Sequence, residues 1–321
     1  MKQTAEFGEV SYRLFKPLTI TVGLRHYHYN KVVGGEYLGY NYFNGQTPRP
    51  FVAIGATADG FVKKFNLDYK ITRDIMFYFT ASQGFRPGGA NNIPGLPIQN
   101  TTYQPDSLWN YEAGVKTQFF NHRLTFNIDG YRIDWSNLQT SVRSALGNFS
   151  YISNIGSARI EGFEIEASAQ PIHGLLLNGS FSVINPFLTA DQFNEAIAET
   201  NSSGRKGDIL PLIPRLTANA GAEYDWPVFN DFDGMIRVDY SYTGKMTTQV
   251  NPTNANYRVA GKYSQVNLRL GVQRDDVGLY FYVNNVFDKI GITSYSATTG
   301  VPDYVSSTRP RTMGVNLRKS F

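Results

Sequence analysis

Cysteine is missing from all 321 residues, which excludes disulfides, zinc-thiolate sites and thiol catalysis. Charge is also scarce, at 17% of the chain, far from the Ala/Glu/Lys/Leu profile of helical proteins. The net charge of +4 is modest, and Lys and Arg are scattered, so no basic stripe points to nucleic acid. No run of about 18 apolar residues occurs, so a transmembrane helix is excluded while a strand-built membrane span is not. Residues 1–10 lack the apolar centre of a secretory signal. The catalytic signatures G-x-x-x-x-G-K-[ST] and G-x-S-x-G are absent too.

What the chain does contain is aromatic residues at 14%, together with 30 glycines, and alternation with a period of 2. Ile75, Phe77, Phe79 and Ala81 oppose Tyr78, Thr80 and Ser82. Leu216, Ala218, Ala220, Ala222 and Tyr224 oppose Arg215, Thr217, Asn219, Gly221 and Glu223. Ile236, Val238, Tyr240 and Tyr242 oppose Arg237, Asp239, Ser241 and Thr243. Strands with one face in lipid and the other on a polar lumen produce this pattern. About thirteen are expected, near residues 6–14, 18–30, 61–71, 75–87, 108–119, 123–140, 155–170, 175–188, 212–225, 234–248, 262–273, 277–288 and 310–321. Short and long connections alternate between them, as the periplasmic turns and external loops of outer-membrane barrels do. Trp109, Trp135 and Trp226 fall at expected strand ends, where aromatic residues suit a headgroup region. The chain closes on Phe321, following Met313, Val315 and Leu317 on one face. The fold class is therefore an all-β, antiparallel transmembrane barrel wall in the bacterial outer membrane.

Several motifs resemble the TonB-dependent outer-membrane receptors. Ser82-Gln83-Gly84-Phe85-Arg86-Pro87-Gly88-Gly89 is similar to a strand ending of that family, and Glu112-Ala113-Gly114-Val115-Lys116 to its E-x-G-x-K strand. Asn154-Ile155-Gly156-Ser157-Ala158 leading to Gly162-Phe163-Glu164, the Asn284-Asn285-Val286-Phe287-Asp288 segment and Pro310-Arg311-Thr312 follow in family order. The resemblance implies a barrel of about 22 strands around a plug. It makes residues 1–321 the C-terminal portion of that barrel, without plug, TonB box or signal peptide. Met1 is then expected to be an internal residue of a longer reading frame or the start of a truncated gene. An open sheet of this size in lipid would leave two unpaired edges. The expected partners are membrane lipid, the missing N-terminal barrel and plug, the TonB complex and a small nutrient, most plausibly a ferric siderophore or other iron chelate.

The bottom-up reading of these motifs is architectural. Gly84, Gly114, Gly156 and Gly162 suit close backbone approach or bends, and Asn284, Asn285 and Asp288 suit a strand end closed by side-chain-to-backbone bonds. His26 and His28 share a strand face, as do Glu164 and Glu166, but a loop-base position and a solvated lumen wall account for them. No metal, cofactor or catalytic set is expected. Long surface loops commonly carry binding residues, which makes Tyr37, Tyr40, Tyr42 and Arg49 of the first long loop, and Arg86, Asn91 and Asn92 around the glycine-rich one, the ligand candidates. Three functions fit such a wall: energised uptake, a passive porin for small solutes and a barrel enzyme. The third lacks a placed catalytic set.

Overall fold

The computed structural model describes residues 1–37, 49–93, 95–143, 150–194, 197–229, 231–296 and 304–319. Thirteen strands form one antiparallel sheet in which each pairs with its neighbours in the chain. They are β1 (Lys2–Phe15), β2 (Leu18–Tyr37), β3 (Arg49–Lys70), β4 (Ile75–Arg86), β5 (Asp106–Phe119), β6 (Leu124–Ser136), β7 (Ser157–Ala169), β8 (Leu175–Ala190), β9 (Leu216–Pro227), β10 (Asp233–Thr243), β11 (Tyr263–Arg274), β12 (Val277–Asn284) and β13 (Thr312–Lys319).

Registration turns the alternation of each strand into rows that cross the sheet. Ile20, Leu67, Phe79, Ala113, Gly130, Phe163, Val183 and Leu216 are successive cross-strand partners from β2 to β9. The adjacent row, one residue along, is Thr19, Asp68, Tyr78, Gly114, Asp129, Glu164, Ser182 and Thr217, continuing to Thr243 of β10. One row is apolar apart from Gly130, and the other is polar or glycine. A one-residue slip of any of these strands would bring polar or charged side chains into the apolar face, so burial in lipid enforces the register. The apolar face remains open, with Phe163 40%, Leu270 39% and Val272 42% exposed. An apolar surface of this extent on a sheet needs a hydrocarbon neighbour.

The short connections lie at one end of the sheet and bond to one another. The backbone N–H of Lys70 donates to Pro17, that of Gln118 to Asp74, that of Gln170 to Arg123 and that of Asp225 to Gly174, at 2.7–2.9 Å. Gly174 has φ +79°, and a Cβ there would lie 2.1 Å from the Asp225 carbonyl oxygen, so only glycine closes this rim. The terminal strands β1 and β13 each pair on one side among the described residues.

All thirteen expected strands are present, with shifted ends. The largest shift is at β2 and β3, whose pairing continues from Lys31↔Ala56 to Tyr37↔Arg49, where the sequence suggests a loop. There the apolar/polar separation fails, so the hairpin stands beyond the lipid-facing belt. β6 stops at Ser136, and Gln139–Arg143 pairs with Ser150–Asn154 as a separate loop hairpin. β12 stops at Asn284 because Asn285 turns to φ 53°. The buried Asn285 side chain donates to the carbonyls of Lys289 and Arg309, at 2.9 and 3.0 Å, and accepts from Lys289 N. Asp288 accepts from Arg311 N at 2.7 Å, giving the side-chain-closed strand end that the motif suggested. Gly114 and Gly162 receive the rings of their cross-strand partners Tyr78 and Tyr131. Phe321 lies outside the described residues.

Candidate functional site

At the long-loop end, three connections far apart in the chain meet on each other. Arg86 ends β4 and pairs in register with Asp106, which starts β5. The Asp106 carboxylate is 2% exposed and takes the Arg86 guanidinium. That guanidinium also donates to the Gln139 carbonyl at 3.0 Å and lies 5.5 Å from the Trp135 ring centre. Gln139 returns the contact. Its backbone N–H donates to Asp106 at 3.2 Å, and its amide reaches the carbonyls of Arg86, Pro87 and Gln104 at 3.1–3.3 Å.

Asn91 makes the second tie. Its amide donates to the carbonyls of Asn100 (2.9 Å) and Ile152 (2.8 Å), and its oxygen accepts from Ile152 N at 3.0 Å, so a side chain completes a strand-like pair between two loops. Asn100 donates to the Tyr151 hydroxyl at 3.2 Å, and Asn154 exchanges bonds with the Gln104 backbone. On the other flank the Gly88 N–H donates to the buried Tyr29 hydroxyl at 2.6 Å, and Asn92 donates to the Val52 carbonyl of the β2–β3 hairpin at 3.4 Å. A Cβ on Gly88 would lie 2.3 Å from the Tyr103 carbonyl oxygen. The glycines of this loop thus let it pass close to its own return.

The loop candidates chosen from sequence therefore separate. Arg86, Asn91 and Asn92 come together in this inter-loop network. Tyr37 and Arg49 are backbone register partners at the end of the described β2–β3 pairing, and Tyr40 and Tyr42 lie outside the described residues. Asp106, Gln139, Tyr151 and Asn154 carry much of the network; the first three have no periodic or motif signal, while Asn154 opens the Asn154–Ala158 motif, where the sequence gives no hint of its tie to Gln104. His26 Nε2 donates to the Asp59 carboxylate at 2.8 Å beside Phe61, on the lipid-side face one step beyond Leu18, Ile20, Val22 and Leu24. Among the described residues no cluster of three or more His, Cys, Asp and Glu could hold a metal ion.

A family profile described as "TonB dependent receptor-like, beta-barrel" matches residues 1–286. The chain belongs to the TonB-dependent receptor family. It is 22% identical over 320 residues to the pesticin receptor of Yersinia pestis, which covers 99% of this chain and 43% of that protein. Over 124 residues it is 28% identical to the metal-pseudopaline receptor CntO of Pseudomonas aeruginosa, covering 39% of this chain and 16% of that protein. The solved structure of the ferric yersiniabactin uptake receptor FyuA from Yersinia pestis superposes with a TM-score of 0.79 at 20% identity, covering 99% of this chain and 45% of that one. The chain thus spans less than half the length of these relatives. As in the family, the barrel wall lies in the bacterial outer membrane, with short turns periplasmic and long loops external.

The lumen face of this TonB-dependent receptor wall is acidic along β5 to β7. Glu112 accepts from the Tyr78 hydroxyl at 2.7 Å, Glu164 accepts from Ser182 at 3.1 Å, and Asp129 sits opposite Glu164 in register. Glu166 lines a shallow cavity of about 270 Å³ with Thr125, Asn127 and Asn178. Glu112 and Glu164 thus accept from the hydroxyls of neighbouring strands.

Proposed function

We propose that this chain is part of a receptor that takes up a scarce nutrient across the outer membrane, most plausibly a ferric siderophore or other iron chelate, energised through TonB. The observation that carries this reading is the joining of a lipid-matched barrel wall to an external rim whose loops are tied into one body, in a member of the TonB-dependent receptor family. Relatives named for their ligands, such as the ferric-pyoverdine M114 receptor PbuA of Pseudomonas sp. (strain M114), 24% identical over 325 residues, support the choice of a metal chelate. A pore for passive diffusion has less use for loops cross-linked over its mouth.

In this proposal the ligand is captured at the external rim. Tyr37 and Arg49 end the described pairing of the protruding hairpin, Tyr40 and Tyr42 belong to the same candidate set, and Arg86, Asn91 and Asn92 shape the loop surface beside the hairpin. Thirteen strands with one-sided edges are proposed to act within a larger barrel. Closure by further strands satisfies the edge groups, each of which costs several kcal/mol unpaired in lipid. The plug and the TonB contact belong to the same proposal. Growth of a receptor-deficient host expressing the native gene, on a panel of iron chelates, heme, cobalamin and oligosaccharides, tests it. Rescue by an iron chelate is expected. Rescue by oligosaccharides alone would overturn the choice of substrate.

A further inference from the structure

The lipid-side face of β6 and β7 turns from apolar to charged at one level. From the short turn outward it carries Phe126, Ile128 and Gly130 on β6, and Ala167, Ile165 and Phe163 on β7. Arg132 and Asp134 follow on β6, and Glu161 and Arg159 on β7. Asp134 stands ten residues beyond Leu124, and Arg159 ten before Ala169. A strand rising about 3.3 Å per residue and tilted about 40° crosses an apolar band of about 25 Å in roughly ten residues. The charged side chains therefore meet the headgroups of the outer leaflet. β5 and β8 flank β6 and β7 on the two sides, so neither strands that close the barrel nor anything in its lumen reaches this outward face.

The four side chains form one cluster, each 30–47% exposed. Asp134 accepts from Arg132 Nε at 2.9 Å and from Arg159 Nε at 2.7 Å, and Glu161 lies 3.8 Å from Arg159 Nε. Both guanidinium groups thus hold Asp134 through Nε, and their terminal amino groups form planar edges of the kind that recognise phosphate oxygens. Two guanidinium groups around one carboxylate make a positive triad, which Glu161 offsets from one side. In register with the cluster on β5 stand Trp109, the partner of Asp134, and Tyr111, the partner of Arg132. Their rings stack, with centres 5.9 Å apart and 13° between the planes. Aromatic side chains suit the headgroup level, and the C–H side of a sugar ring packs on an aromatic face by dispersion.

We propose that this patch binds the phosphorylated sugar headgroup of a glycolipid in the outer leaflet. Arg132 and Arg159 take a phosphate, Trp109 and Tyr111 take the sugar ring, and the apolar stripes of β6 and β7 lie along the acyl chains. Native mass spectrometry of the purified receptor, expressed from its native gene and titrated with diphosphorylated lipid A, tests the site. Dephosphorylated lipid A and phosphatidylglycerol are the comparison probes, and each should bind about tenfold more weakly. Arg132→Gln and Arg159→Gln should each weaken diphosphorylated lipid A about tenfold, as loss of a charge-assisted hydrogen bond does. Trp109→Ala should weaken it severalfold. Glu161→Gln should tighten it, because the carboxylate repels a phosphate beside it; an ion cluster that serves only the fold gives no such gain.

Faster migration of unheated receptor on a denaturing gel confirms that each variant is folded. Equal binding of dephosphorylated lipid A, or a double arginine variant with wild-type affinity, would overturn the site. Phosphatidylglycerol that binds as tightly as diphosphorylated lipid A would overturn the assignment to a glycolipid. Where the double variant does not fold, Glu161→Gln decides: tighter binding supports the site, and unchanged or weaker binding overturns it.

Discussion

The external rim and the lumen trough spend the same residue types in opposite ways. At the rim, Arg86 is held by Asp106 and Gln139, and Asn91 by Asn100 and Ile152. On the lumen face, Arg269 of β11 and Arg318 of β13 line one trough of about 460 Å³ and have no hydrogen-bond or ion-pair partner among the described residues. An arginine or asparagine in a long loop is thus a weaker sign of a ligand than it looks. Backbone groups in loops need partners, and nearby polar side chains are the first to supply them. Polar side chains on the lumen face carry no such duty, because the strands bond their own backbone.

The sharpest way to break this comparison is to violate the wall that separates its two regions. Val238→Arg places a charge in the lipid-facing row, and it should destabilise the barrel by about 2–4 kcal/mol, the usual cost near the bilayer midplane, in urea-dependent folding into vesicles. The change on the neighbouring lumen face, Asp239→Asn, should cost far less. Equal losses would mean that the two faces are not lipid and lumen.

The rim comes next. Asp106→Ala leaves Arg86 without its carboxylate, and local opening of the loops should become easier by about 2 kcal/mol, near the lower end for one lost partner because Arg86 is half exposed. Hydrogen exchange at Gln139 reads this directly. Asn91→Ala orphans Ile152 N, and it should speed exchange across residues 150–154 by about tenfold, equivalent to one hydrogen bond. Arg86→Ala tested for ligand affinity sharpens the point. A loss of affinity with unchanged loop protection marks a contact, whereas joint loss of both marks a positioning role.

In the trough, Arg269→Gln should leave folding stability within about 0.5 kcal/mol of wild type, as expected for a side chain with nothing to lose. A large loss would show a structural partner and close the comparison. The smallest effect concerns pH. Burial raises the Tyr151 phenol above its ordinary value of 10.0, so the folded hairpin holds that proton more tightly than the unfolded chain does. Its contribution is fully present below about pH 10 and is lost as pH rises toward the folded value. Loop protection near Tyr151 should therefore fall only in strongly alkaline solution.

These regions also differ in how much of them can be read from sequence. The wall was legible because period-2 alternation is local, and because lipid on one side and water on the other leave each strand a single permitted phase. Rows such as Ile20 to Leu216 follow once the short turns set the register. The rim was legible only as a pair of long loops. Its ties join Asn91 to Ile152 and Gln139 to Pro87, residues distant in the chain with no repeating signal. The trough falls between these cases. Alternation puts Arg269 and Arg318 on the lumen face, but their lack of partners depends on which strand lies beside which. The glycines at 114, 162 and 314 could have been anticipated, since each sits directly opposite a tyrosine.

Energised transport through this wall is the property that the proposed function most directly requires. Uptake of a radiolabelled iron chelate, measured in cells expressing the native gene with and without a working TonB system, decides it. Saturable uptake that disappears when TonB is removed is the predicted result. Uptake that continues unchanged without TonB, rising in proportion to external concentration, would contradict it and leave a passive pore.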